Sequence, residues 1–169
     1  MVQSHNRFIG GNIKILREAS GLSQHDFSTL VDISKRSIAN IEAGKTSHNL
    51  DLLDKILDLF DYKLEDIRRS EIKVPINFRE RLIEYHKGNP NNVTLLKKQP
   101  NIVFAVKFKL LQSPFIDDPK EINEIKSFFE QLGWVYRGTS ISNALKRMPG
   151  EIQIRRHQHK GNTNVYSKK

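Results

Sequence analysis

Between Leu22 and Lys45 the chain spaces its apolar residues and helix-boundary residues so tightly that two short helices joined by a turn are the natural solution. Ser23 offers an N-cap hydroxyl, Asp26 three residues later completes a capping-box pattern, and Phe27 and Leu30 follow on one buried face. After Val31-Asp32-Ile33, Ser34 opens a second helix that turns Ile38 and Ile41 inward and stops at Gly44. A helix with that inner face must present Lys35, Arg36 and Asn40 outward, and Arg36 and Asn40 share a face at i, i+4. These are base-reading residue types. Arginine bonds guanine O6 and N7 bidentately and asparagine does the same with adenine N6 and N7, each good pair worth about 1–3 kcal/mol of discrimination.

The flanks extend this pair into a mainly α architecture. Ile9, Ile13 and Leu16 predict a helix over Ile9–Ser20 ended by Gly21, and Leu50, Leu53, Ile56, Leu57 and Phe60 form a wide apolar stripe over Leu50–Asp61. A fifth helix is expected over Leu64–Ser70, so residues 1–70 read as a five-helix domain. Pro75, Pro90 and Pro100 interrupt residues 71–100, which read as a connecting region with one helix over Asn77–Lys87. From 101 to 169 the pattern changes to an α+β domain. Ile102–Gln112 fits a strand by alternation and a helix by Val103, Val106 and Leu110, and context favours the helix. Pro119 at the first helical position predicts a helix over Lys120–Leu132 with Ile122, Ile125, Phe128, Phe129 and Leu132 inward, closed by Gly133. Ile141, Ala144, Leu145 and Met148 predict another over Ser140–Met148, and Trp134 and Tyr136 read as core. After Pro149-Gly150, Glu151–His157 and Thr163–Lys168 alternate around Gly161-Asn162 as a hairpin.

Charge separates the two halves. Residues 1–70 carry ten bases and ten acids, whereas 71–169 carry 18 bases against nine acids and hold the whole net charge of +9. Within them, residues 137–169 carry eight bases and the single Glu151. Such a concentration favours a polyanion partner, although a solvated basic tail would look the same. The chain has no cysteine, which excludes disulfides, cysteine zinc fingers and thiol nucleophiles and agrees with a reducing cytoplasm. The longest apolar run, Ile102–Val106, is far short of a membrane span, and Met1–Gly11 does not read as a secretory signal. No membrane association is expected.

The run Leu22-Ser23-Gln24 through Ile41-Glu42-Ala43-Gly44-Lys45 resembles the helix-turn-helix of the XRE/Cro repressor family over roughly 60 residues. The resemblance implies a lambda-repressor-like fold whose helix at Ser34–Ala43 enters the major groove of double-stranded DNA, with Ser34 and Lys35 at the leading end. It also implies phosphate contacts from Gln24, Lys45 and Thr46, and a structural ion pair between Arg17 and Glu42. Two positions depart from the family pattern: Ser28 replaces the usual alanine, and Asp32 replaces the usual turn glycine.

The second half resembles a winged helix by the order of its elements rather than by invariant residues. Its third helix would present Ser140, Asn143, Lys146 and Arg147, and its hairpin would bring Arg155, Arg156 and Lys160 to phosphates or a minor groove. The same fold serves elsewhere as a dimerisation or protein-docking module, so a protein partner for residues 71–169 stays open. His157 and His159 share a strand face, yet without clustered carboxylates they read as surface histidines beside arginines, and a nuclease built on them is disfavoured. Asp51, Asp54, Asp58, Asp61, Glu65 and Asp66 read as a solvated acidic face. No P-loop, G-x-S-x-G, H-E-x-x-H or dinucleotide fingerprint occurs. The sequence therefore predicts a cytoplasmic, non-enzymatic, homodimeric DNA-binding regulator, a repressor, with no cofactor or metal; the alternative is an antitoxin-like or adaptor protein that binds DNA through its first domain and a protein through its second.

Overall fold

The computed structural model describes residues 2–45 and 50–169. The chain divides into two compact units, Met1–Pro100 and Asn101–Lys169.

The first unit holds α1 (Val2–Ala19), α2 (Gln24–Val31), α3 (Lys35–Glu42), α4 (Leu50–Phe60), α5 (Leu64–Ile67), α6 (Phe78–Tyr85) and α7 (Pro90–Lys97). The boundaries of α2 and α3 are set as their caps predict: Ser23 Oγ accepts from Asp26 N–H and Ser34 Oγ from Ser37 N–H. Between them Asp32 takes the left-handed conformation, φ 52°. Upstream, α1 begins several residues before Ile9, because nothing in that stretch breaks a helix. It crosses α3 at Gly10, where a Cβ would lie 2.0 Å from the Ile41 carbonyl oxygen. Ile13, Leu16, Phe27, Ile38, Ile56 and Phe60 are fully or almost fully buried, and the Phe27 and Phe60 rings stack at 5.3 Å. Two details of the expected stripe change. Leu50, at the start of α4, is exposed, and α5 stops at Ile67, short of the expected Ser70, with the Asn12 amide donating to the carbonyls of Ile67 and Arg69 at 2.9 and 2.8 Å.

Residues 71–100, expected as a connector with one helix, fold into this unit with two. Phe78 packs 6.1 Å from the Phe60 ring, and the buried Arg79 guanidinium donates to the carbonyls of Ser20 at 2.5 Å and Lys98 at 2.6 Å. Gly21 makes room for it: with φ 76°, it also stands where a Cβ would lie 2.1 Å from Arg79 Nη1. Pro90, expected to interrupt the chain, instead opens α7: it occupies the first turn, and Asn89 Oδ1 caps the helix by accepting the Asn92 N–H.

In the second unit Ile102–Phe104 (α8) runs into a π-helical segment, Ala105–Leu110. The wider turn buries Ala105, Val106, Leu110 and Leu111, a spacing that matches neither a regular helix nor a strand and explains the mixed periodicity. A short 3₁₀ turn, Pro114–Ile116, leads to β1 (Lys120–Glu121), α9 (Ile122–Gln131), α10 (Gly138–Lys146), β2 (Ile152–Arg156) and β3 (Asn164–Lys168). The expected role of Pro119 at the first helical position does not hold. Lys120 and Glu121 pair with Tyr166 and Val165 of β3, so the helix starts only at Ile122, and Glu124 accepts the Glu121 N–H at 2.7 Å. The hairpin forms as expected, antiparallel, and the sheet order is β1-β3-β2. Its inner face closes on Ile125, Phe129, Tyr136, Ile141, Leu145, Ile152 and Tyr166, while Trp134 is only half-buried and Leu132, expected inward, is exposed. Among the described residues no helix is long and apolar enough to cross a membrane.

Candidate nucleic-acid interface

The outward flank of α3 begins at its cap. Ser34 is exposed, and its hydroxyl both accepts from Ser37 N–H at 3.1 Å and lies 2.8 Å from the Ser37 hydroxyl, which fixes the leading end of the helix. Lys35 and Arg36 are exposed and Asn40 is half-buried, while Ile38 and Ile41 behind them are 0% and 2% exposed. The helix is thus locked from one side only, and its polar residues are those left facing water.

What locks it is a buried carboxylate. Glu42 Oε1 receives Arg17 Nε at 2.5 Å, and Oε2 receives Arg17 Nη2 at 3.1 Å and the Gln24 amide at 2.9 Å. Arg17 Nη1 adds a bond to the Leu22 carbonyl at 2.9 Å. One acid on α3 therefore holds α1 and the first residue of α2 together. Gln24 sits at the start of α2 as expected, with its amide already directed by Glu42. Lys45 is exposed beyond Gly44, and Thr46 lies outside the described residues. Two neighbours escaped sequence reading. Ser37 is exposed between Ser34 and Asn40 on the same helix, a position its i+3 spacing from Ser34 would have marked. Arg7 is exposed and its backbone abuts Gly44, 2.9 Å from where a Cβ would stand; only the unforeseen early start of α1 brings it there.

In the second unit α10 buries Ile141, Ala144 and Leu145 and exposes Asn143 and Lys146, with Arg147 exposed at its C-cap and Ser140 half-buried. Arg155 and Arg156 are exposed on adjacent positions of β2 and so on opposite faces of the sheet. Arg156 Nη1 donates to the Gly161 carbonyl at 3.3 Å, which brings its guanidinium toward the turn. Lys160 is exposed but occupied: its ammonium lies 2.5 Å from Glu121 Oε1, and His157 Nε2 lies 3.4 Å from the same oxygen. His157 Nδ1 accepts the His159 N–H at 3.0 Å, so both ring nitrogens face partners in the protein. Among the described residues no three His, Cys, Asp or Glu gather as a metal site. The acids Asp51, Asp54, Asp58, Asp61 and Glu65 are exposed.

The Helix-turn-helix family (HTH_3) matches residues 13–67. Those residues are an XRE-type helix-turn-helix domain. The chain is 39% identical over 59 residues to Antitoxin PezA of Streptococcus pneumoniae serotype 4, covering 35% of this chain and 37% of that protein. It is 29% identical over 76 residues to a Putative HTH-type transcriptional regulatory protein, TK0539, of Thermococcus kodakarensis, covering 43% of this chain and 24% of that protein. The chain thus spans little more than a third of one curated relative and about a quarter of the other. No solved structure matches it.

Proposed function

We propose that the chain is a sequence-specific DNA-binding transcriptional regulator, acting in the cytoplasm as a repressor, with α3 as the helix that enters the major groove. The observation that carries this reading is the one-sided burial of α3: Ile38 and Ile41 are inside, Glu42 is tied to Arg17, and Ser34, Lys35 and Arg36 stand exposed with Asn40 beside them. A helix held from behind by a buried ion pair has its reading face fixed before DNA arrives, which lowers the ordering cost of binding. Arg36 and Asn40 then address base edges, while Gln24, Lys45 and Thr46 hold phosphates and set register. One such helix covers a short half-site, so the chain works as a homodimer on two half-sites about one helical turn apart.

The second unit has the order helix, strand, helix, helix, strand, strand and the sheet order β1-β3-β2, which supports a winged-helix reading. Its exposed Asn143, Lys146, Arg147, Arg155 and Arg156, with Lys160 in the turn, supply further phosphate contact. The test is the DNA that the full chain enriches from a random duplex pool. Enrichment of a defined half-site that is lost in Arg36→Ala/Asn40→Ala supports α3 as the reader; the same site retained in that variant overturns it.

A second reading follows from the similarity to an antitoxin, which is confined to about a third of each chain. In it the first unit binds DNA and the second docks a protein. Replacing Lys146, Arg147, Arg155 and Arg156 together with alanine in the full chain separates the two, since an unchanged salt dependence of DNA binding favours docking.

A further inference from the structure

The register of the small sheet puts three side chains in one row. Val165 of β3 stands opposite Arg155 of β2 and opposite Glu121 of β1, while the neighbouring row pairs Ile154 with the buried Tyr166 and Tyr166 with Lys120. Tyr166 faces the core, so Arg155, Val165 and Glu121 face away from it. Beside them Arg155, Arg156, His157 and His159 help to line an open cavity of about 410 Å³. The cavity is cationic, and the acid that answers it comes from another element: residues 137–169 hold eight bases and only Glu151, and the carboxylate that meets the hairpin turn is Glu121 of β1.

The contact has the form of an anion site occupied from within. One oxygen of Glu121 gathers Lys160 at 2.5 Å and His157 at 3.4 Å. The His157 ring is oriented for this, because Nδ1 accepts the His159 N–H and leaves the Nε2 edge toward Glu121. The Lys160 hydrogen bond holds the Glu121 carboxyl below the usual carboxylate range, so it stays ionised across neutral pH. The pair is nevertheless open to water, with the Lys160 side chain 56% exposed. An exposed pair of this kind contributes little to stability and weakens with salt. A duplex that offers several phosphates and releases their counterions readily outcompetes it.

We propose that Glu121 is the resident counter-ion of a phosphodiester site on the outer face of the hairpin sheet, and that DNA must displace it from Lys160 and His157 before the hairpin engages. This rests on the reading that the hairpin meets DNA phosphates. Glu121 acts as a brake: it keeps Lys160 neutralised in the free chain and raises the threshold for weak, non-specific binding.

The experiment is the salt dependence of binding of the full chain to a short random-sequence duplex. Glu121→Gln keeps the side-chain shape and removes the charge. It is expected to raise affinity at low salt by up to about fivefold and to steepen the slope of log K against log salt by about one unit, as one more lysine meets a phosphate. Glu151→Gln, which removes an equal charge elsewhere in the same unit, is expected to leave the slope unchanged. Lys160→Gln is expected to move affinity and slope the opposite way. Equal behaviour of Glu121→Gln and Glu151→Gln, with a slope lowered by Arg155→Ala/Arg156→Ala, overturns the brake and leaves the hairpin reading standing. No slope change in Arg155→Ala/Arg156→Ala as well overturns both. Inorganic phosphate at matched ionic strength provides the last arm: if it moves the His157 ring resonances as the duplex does, the site belongs to a free anion and the phosphodiester assignment fails.

Discussion

Arg17 of α1 and Glu42 of α3 form a two-pronged ion pair, Nε to Oε1 at 2.5 Å and Nη2 to Oε2 at 3.1 Å, with side chains only 8% and 4% exposed. The pair lies behind the polar flank of α3 and also receives Gln24 of α2. Its importance is geometric. Three helices meet at one carboxylate, so the pose of α3, the proposed reading helix, depends on a contact behind its exposed flank.

Breaking one side of this pair strands a buried charge. Arg17→Ala and Glu42→Ala are each expected to lose about 3–5 kcal/mol of stability, measured by urea denaturation. Replacing both with apolar residues of similar volume is expected to recover most of that loss, since neither charge is then left unpaired. A double variant no better than the worse single one would show that the pair does more than satisfy itself.

Reading and positioning separate by their dependence on sequence. Arg36→Ala and Asn40→Ala are expected to cost about 1–3 kcal/mol on the selected half-site and little on random DNA, narrowing the gap between the two. Lys45→Ala, beyond the helix, is expected to weaken both about equally and to reduce the salt slope by about one unit. Equal losses on both DNAs for all three variants would count against base reading by α3.

Arg79 tests whether residues 71–100 are part of the first unit. Its guanidinium satisfies the carbonyls of Ser20 and Lys98, and removing it leaves both without that donor. Arg79→Ala is expected to destabilise by about 2 kcal/mol or more and to speed proteolysis within 71–100. A connector outside the folded unit would respond within about 0.5 kcal/mol.

The helix-turn-helix was legible because its signals are local. Ser23 and Ser34 cap through their own third residues, and Ile38 and Ile41 repeat at helical spacing, so sequence neighbours decide the structure. The misread elements depend on distant partners. Arg79 is a surface residue by composition and buried in fact, because it meets carbonyls 59 and 19 positions away. Lys120 and Glu121 form a strand only because β3 arrives some 45 residues later to pair with them. Glu121 was likewise invisible as a partner of Lys160, whose charge reads as free until the hairpin folds back on β1. The π-helical turn at Ala105–Leu110 buries residues at a spacing that is neither the 3.6 of an α-helix nor the 2 of a strand, so its apolar pattern matches no regular element.

Asp32 offers a stability gain in the turn between α2 and α3. It closes α2 with φ 52° and ψ 53°, and its N–H bonds back to Thr29 while Ile33 N–H bonds to Ser28. A side chain with a Cβ pays about 1 kcal/mol or more in that left-handed well, and aspartate is among the residues that tolerate it best. Asp32→Gly removes the steric cost and adds back part of it as unfolded-chain entropy, so the expected net gain is about 0.5–1 kcal/mol. Asp32→Val, β-branched and without a local acceptor, is expected to lose more than 1 kcal/mol. The order Gly, Asp, Val in thermal midpoint is the signature of a left-handed turn held in the folded protein. Equal midpoints for Gly and Val would mean that the turn between α2 and α3 relaxes to an ordinary conformation, and with it the angle at which α3 is presented.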